Sequence, residues 1–133
     1  MRLAGWCPVV LAAALPAADA ADCGRLMVES DLAGFHTHGI FRLAQYVKRI
    51  RAGGINVTPN ITTVTEAPAT AVVDGDNAMG HLAMQYAMKL AIDKAAEAGC
   101  AWVGVRGSNH AGAAATYVAM AAARGMIALY GTN

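Results

Sequence analysis

This sequence has little charge. Charged side chains make up 14% of the 133 residues, ten basic against nine acidic, for a net +1. With a balance so near zero, nothing marks a polyanion partner or a nucleic-acid surface. The three cysteines, Cys7, Cys23 and Cys100, are odd in number and form no CxxC pair. This argues against a disulfide framework and a cysteine-based metal site, and for buried, reduced thiols. No stretch reaches the ~18 continuous apolar residues that a membrane-spanning helix needs. Several chemistry-bearing motifs are missing as well. There is no G-x-G-x-x-G for a Rossmann dinucleotide site, no GK[ST] phosphate loop, no G-x-S-x-G elbow and no convincing pair of catalytic carboxylates.

What is present is apolar. Hydrophobic residues account for 56% of the chain, which excludes intrinsic disorder. Much of that share is alanine, which lets helices pack closely but fills little core volume. Low charge with high apolar content suggests a buried, oligomeric or incomplete unit. At the N-terminus, Arg2 precedes an apolar run from Leu3 to Leu15, and Ala18-Asp19-Ala20 imitates a signal-peptidase site. The competing reading is a buried helix leading into the stretch from Pro16, where proline and the nearby Asp19 and Asp22 suit a helix start.

The pattern predicts a mixed α/β fold. A first helix is expected from Pro16 to about Leu32, ended by Gly34-Phe35-His36-Thr37-His38-Gly39. A second opens at His38 and carries Leu43, Tyr46, Val47 and Ile50 on one face, with Gly53-Gly54 as its stop. β-Branched runs at Ile61–Thr65 and Thr70–Val73 predict a hairpin, and Asp74-Gly75-Asp76-Asn77 a turn. A helix from Met79 to Ala98 ends at Gly99. Trp102–Val105 is expected as a strand, Arg106–His110 as a loop, and the alanine-rich stretch to Arg124 as a helix. Met126–Tyr130 is expected as a final strand, giving a strand-helix-strand crossover from Trp102 to Tyr130.

Three histidines, His36, His38 and His110, fall in loops. If the second helix has started at His38, Arg42 lies one turn along the same face. Arginine can fork a carboxylate, while histidine exchanges a proton near neutral pH. Together they suit a small acid with an oxo or hydroxyl group beside its carboxylate. A capping histidine and a surface arginine are the plain alternative. His110 stands just before a helix N-terminus, where anions are favoured, and Ala111, Gly112 and Ala113 are small enough to let a cofactor approach the backbone. An alanine-rich packing helix with a capping loop explains the same residues. His36-Thr37-His38 could also chelate zinc with His81 or His110 as third ligand, although no second close ligand pair supports it. His81 falls on a helix of core pattern and reads as structural.

The segment Glu29-Ser30-Asp31-Leu32-Ala33-Gly34-Phe35-His36-Thr37-His38-Gly39-Ile40-Phe41-Arg42-Leu43 resembles the "ADLRGxxSHGxxRL" stretch of the malate/L-lactate dehydrogenase-like family. Three further stretches agree in order and spacing: Arg51–Asn56, Ala69–Asn77, and Val103–Ala113, the last similar to "VxVRxSNHFGAA". The resemblance covers nearly all the chain from about Val9. It implies the family's own non-Rossmann α/β architecture, with residues 1–133 as an N-terminal portion, 1–58 mainly helical and 59–133 α/β, the downstream part being absent. It also implies NAD or NADP as cofactor, a small 2-oxo or 2-hydroxy acid as substrate, a homodimer in the full-length form, and no metal. By this resemblance His38 is the proton donor and His110 an alternative or assisting one. Thr37 replaces the usual serine as the hydroxyl that orients the imidazole, Arg42 binds the substrate carboxylate, and Asn109, Ala111, Gly112 and Ala113 lie against the nicotinamide cofactor. Val9–Cys23 looks like the family's first helix, which makes the signal-like pattern accidental and the expected location cytoplasmic. Ala33, His36, Ala111 and Thr116 depart from the family pattern around the substrate pocket. The alternatives carried forward are a noncatalytic remnant or interaction fragment, and a His-ligated metal-dependent hydrolase.

Overall fold

The structure is a computed structural model that describes residue 12 and residues 14–132. Cys7 and most of the signal-like run therefore lie outside the described residues. Helix α1 spans Ala17–Leu32 and starts immediately after Pro16, where the missing N–H of proline costs nothing. Two short 3-10 turns, His36–His38 and Ile40–Arg42, lead into α2, Leu43–Arg51. The second helix thus begins five residues later than expected. Gly39 is extended between the two turns (φ −97°, ψ −138°), which breaks the helical path from His38 to Arg42, so the assumed one-turn spacing between them does not exist.

Strands β1, Thr62–Ala67, and β2, Thr70–Ala78, pair antiparallel around a two-residue turn at Pro68-Ala69. Helix α3, Gly80–Ala98, then crosses to β3, Trp102–Ser108, which pairs parallel with β2. The sheet order is β1-β2-β3. Glycine closes α3, with Gly99 in the left-handed region (φ 82°) and its N–H bonded to Ala95 O, a common way to satisfy a terminal carbonyl. Helix α4 spans Ala114–Ala122.

Three expectations are corrected. The stretch Asp74–Asn77 is a bulge inside β2, with Asp76 and Asn77 at φ 49° and 55°. The Asp76 carboxylate explains the distortion, because it accepts from Asn56 Nδ2 and Asn60 N, both at 2.9 Å, and so pulls the 56–60 connector onto the sheet. The segment 106–108 is strand, with Arg106 opposite Asp74 and Ser108 opposite Ala78, so only 109–113 remains as loop. Finally, Met126–Tyr130 forms no strand. Met126, Ala128 and Tyr130 pack against a cluster of Leu26, Met88, Ile92 and Tyr117, while Ile127 and Leu129 are 98% and 89% exposed. Alternation reports that one face is buried, and here a helical cluster covers it without a backbone ladder. The parallel crossover is accordingly β2-α3-β3, one unit earlier than expected.

Two apolar clusters flank α1. Cys23 and Met27 join Tyr46, Ile55, Met79 and Leu82 in one, and Leu26 joins the α3–α4 cluster. Helix α1 thus holds α2 and the α3–α4 pair in fixed relation, which sets the two histidine segments against each other. Gly80 makes that approach possible, since a Cβ there would stand 2.6 Å from His110 O and closer still to Asn109 O.

Candidate active site

The site is built from two segments. The first, 36–42, is braced by Asp31 at the end of α1, whose carboxylate accepts from Ile40 N at 3.1 Å and lies 3.6 Å from His36 Nδ1. Within it, Thr37 Oγ1 is 2.9 Å from His38 Nδ1, and Arg42 Nε donates to Thr37 O at 2.8 Å. One Arg42 NH1 hydrogen goes to Gln45 Oε1 at 2.9 Å. Five N–H donors on a guanidinium leave the NH2 end and the second NH1 hydrogen for another acceptor.

The second segment is 109–113. Asn109 Nδ2 lies within 3.0 Å of Asn77 O, Asn77 Oδ1 and Ala78 O, tying the loop to the end of β2. Gly112 takes a left-handed φ of 76°, and a Cβ there would stand 2.8 Å from His81 Nε2. Tyr117 OH donates to Ala111 O, and Ala113 is buried. Of the four residues expected at the cofactor, the Asn109 amide is thus engaged within the chain and Ala113 faces inward.

The segments meet at their histidines. The rings of His38 and His110 stack with centroids 5.5 Å apart and planes 26° from parallel. His110 Nδ1 accepts from Gly112 N–H at 3.2 Å and lies 2.7 Å from Tyr46 OH. With Nδ1 accepting, the neutral ring carries its proton on Nε2. Burial, reinforced by the charges of Arg42, His38 and Arg49, holds His110 below the usual histidine range. His81 stands behind Tyr46, edge-on at 5.4 Å. It is fully buried, and neither ring nitrogen has a hydrogen-bond partner among the described residues. Burial, with a smaller contribution from His110, pushes its pKa down to about 3.

Sequence reasoning placed Thr37, His38, Arg42 and His110 in the candidate set, and all four come together here. It missed two residues. Tyr46 reads as a core residue from its periodicity, and it is 2% exposed, but its hydroxyl also reaches a histidine 64 positions away. Asp31 lies within the quoted motif, yet nothing in its spacing marks it as the brace for the turns that follow. The zinc reading finds no support. Among the described residues, no group of three or more His, Cys, Asp or Glu side chains could hold a metal ion. His38 faces His110, and His36 pairs with Asp31.

The structure thus brings a stacked histidine pair and an arginine with uncommitted N–H donors together at one place. Comparison with known proteins names the family. The malate/L-lactate dehydrogenase family profile matches residues 4–133, and the chain belongs to that family. It is 44% identical over 118 residues to a malate dehydrogenase of Pyrococcus abyssi, covering 89% of this chain and 33% of that one. It is 42% identical over 119 residues to an L-sulfolactate dehydrogenase of Methanocaldococcus jannaschii, covering 90% and 35%. The fold superimposes on the malate dehydrogenase of Pyrococcus horikoshii with a TM-score of 0.90 at 40% identity, covering 94% of this chain and 36% of that one. The chain therefore spans about a third of the length of these relatives. Among the described residues, no helix is long and apolar enough to cross a membrane.

Proposed function

We propose that this chain carries the acid–base and carboxylate-binding part of an NAD(P)-dependent oxidoreductase that interconverts a small 2-oxo acid and its 2-hydroxy acid. The observation that carries this reading is the His38–His110 stack beside Arg42, assembled from segments about seventy residues apart. Family membership supports the reaction class.

Arg42 holds the substrate carboxylate on its uncommitted NH1 and NH2 hydrogens, end-on, while its Nε stays on Thr37 O. That bond ties the carboxylate anchor to the residue that orients His38, so the reacting carbon is set relative to the imidazole. His38, with Thr37 Oγ1 at its Nδ1, gives its proton to the developing alkoxide. His110 is kept neutral by burial and its cationic neighbours. It presents Nε2–H as a hydrogen-bond donor without adding a second positive charge.

A reduced nicotinamide cofactor, when bound beside His110, would supply the hydride. Gly112, whose N–H bonds to the His110 ring, and the partly buried Ala111 are the small residues that would adjoin its reactive end. A closed cradle for the rest of the dinucleotide is not formed among the described residues. The downstream part of a longer protein would complete it, together with the homodimer and cytoplasmic setting that go with this reading.

The test is oxidation of NADH and of NADPH with a panel of 2-oxo acids, using the 133-residue chain and any longer product of its reading frame. His38→Ala is expected to lower turnover at least ~100-fold while leaving the unfolding transition in place. Near-normal turnover in that variant moves the proton-donor role to His110. Absence of oxidation with every acid in every form overturns the reading.

A further inference from the structure

Two hydrogen bonds meet on the peptide unit between Ala111 and Gly112. Its oxygen accepts from Tyr117 OH, and its N–H donates to His110 Nδ1 at 3.2 Å. The C=O and N–H of one trans peptide lie in a plane and point in opposite directions, so neither end can turn without the other. Tyr117 therefore holds, through one rigid unit, the hydrogen that is aimed at the histidine ring.

Tyr117 is well placed to do so. It lies in the first turn of α4, where side chains lean toward the helix N-terminus, and it reaches back over the loop to Ala111. Its side chain is 1% exposed and its ring stacks on Tyr130, with centroids 5.7 Å apart and planes 16° from parallel. Tyr130 itself belongs to the extended stretch packed on the α3–α4 cluster. Burial, reinforced by Tyr130, pushes the Tyr117 phenol well above the usual tyrosine range, which keeps the hydroxyl a donor.

The consequence falls on His110. In a neutral imidazole, Nδ1 either carries the hydrogen or offers a lone pair, not both. Gly112 N–H and, at 2.7 Å, Tyr46 OH both approach it. A hydroxyl can donate or accept, so Tyr46 fits either tautomer, whereas a backbone N–H can only donate. With that hydrogen fixed on Nδ1, the ring proton goes to Nε2 and Tyr46 is left to donate. Resting on the function proposed above, we infer that Tyr117 is a positioning residue of the site, setting His110 as the Nε2–H tautomer through the 111–112 peptide. That tautomer is the one able to donate to a substrate oxygen from Nε2. Tyr130 supports Tyr117 from behind, so the stretch 126–130 serves the site as a strap.

The test is nitrogen NMR of the histidine rings at a pH where His110 is neutral, which distinguishes the two tautomers without cofactor or turnover. The unmodified chain is expected to show His110 mainly as Nε2–H. Tyr117→Phe keeps the ring and its stack but frees Ala111 O, and should lower the ratio of Nε2–H to Nδ1–H about fivefold, the worth of one hydrogen bond. Tyr130→Leu, which removes the stack and leaves the Tyr117 hydroxyl, should lower it about twofold, and Tyr130→Phe should leave it unchanged. Tyr46→Phe should keep Nε2–H dominant. In an active form, Tyr117→Phe should reduce kcat about fivefold with KM for the acid unchanged, since Arg42 is untouched. Nδ1–H as the main form of the unmodified chain, an unchanged ratio in Tyr117→Phe, or a larger fall in Tyr46→Phe than in Tyr117→Phe overturns the inference. If Tyr117→Phe does not fold, an unchanged ratio in Tyr130→Leu overturns it instead. None of these results touches the proposed function, which stands or falls on the 2-oxo acid panel.

Discussion

The two segments that form the site are held in opposite ways. Segment 109–113 is fastened from several sides. It has Asn109 on the end of β2, Tyr117 on Ala111 O, Gly112 on His110 Nδ1 and Gly80 packed beneath. Segment 36–42 is two 3-10 turns, mostly at the surface, braced by one carboxylate, Asp31, by the Arg42–Gln45 bond, by Ile40 packed on the core and by bonds among its own members. The fastened segment carries the histidine whose burial lowers its pKa, and the lightly held one carries His38 and Arg42, the residues to which the proposed function gives the proton and the carboxylate. This division suits the chemistry. On the proposed function, the part that would set the electrostatic background is built into the fold, while the part that would meet the substrate stays at the surface, where a substrate could complete its hydrogen bonds.

The largest expected effect tests that contrast directly. A Cβ at Gly80 would run into the backbone of Asn109 and His110, which cannot move without breaking the bonds just described. Gly80→Ala should therefore cost about 3 kcal/mol in denaturant unfolding, the upper end of overpacking effects. The atoms nearest a Cβ at Gly39 would be those of the Asp31 side-chain carboxylate, which can swing away at the loss of one hydrogen bond and a weak pairing. Gly39→Ala should cost about 1 kcal/mol. If the two variants lose equal stability, the segments are not held differently and the contrast fails.

His81 provides a second, smaller test. Its folded pKa, about 3, lies below the value near 6.5 expected when unfolded. Between those values the unfolded chain takes up a proton and the folded chain does not, so stability falls as pH is lowered. The slope from this one group is about 1.4 kcal/mol per pH unit once pH is well below 6.5. His110 shifts the same way and adds to it. In His81→Leu the slope of unfolding free energy between pH 6 and 4.5 should be shallower by about that amount. Identical slopes in the two proteins would mean that the buried ring is not a neutral histidine kept out of water.

How much of this was legible beforehand follows the range of the interactions. The helix at 17–32, the hairpin turn and the helix ending at Gly99 depend on local periodicity and on proline and glycine placed where the backbone needs them, so they can be read from neighbours in sequence. The bulge at Asp76 could not be, because it is set by an asparagine twenty residues earlier. Met126–Tyr130 shows the limit of pattern reading, since alternating burial fits either a ladder or an extended chain lying on helices. At the site, His38, Arg42 and His110 were visible as residue types in suggestive settings. What joins them was not, because the His38–His110 stack and the Tyr46 hydroxyl contact depend on α1 bringing α2 and the loop after β3 together.

The smallest effect on stability, and the most specific to chemistry, is expected at Thr37. Its hydroxyl is exposed and touches His38 Nδ1 at 2.9 Å, so Thr37→Val should change unfolding free energy by less than ~0.5 kcal/mol. The imidazole, however, loses the group that favours one ring orientation over the other. The His38 nitrogen signals should then report an altered balance of tautomers, and turnover in an active form should fall roughly tenfold through misorientation. Thr37→Ser keeps the hydroxyl and should keep both properties, which separates orientation from any packing role of the methyl group. If valine leaves the tautomer balance and the rate where threonine had them, His38 takes its orientation from the His110 stack alone. The lightly held segment would then depend on the fastened one for the geometry of its proton as well as for its electrostatic surroundings.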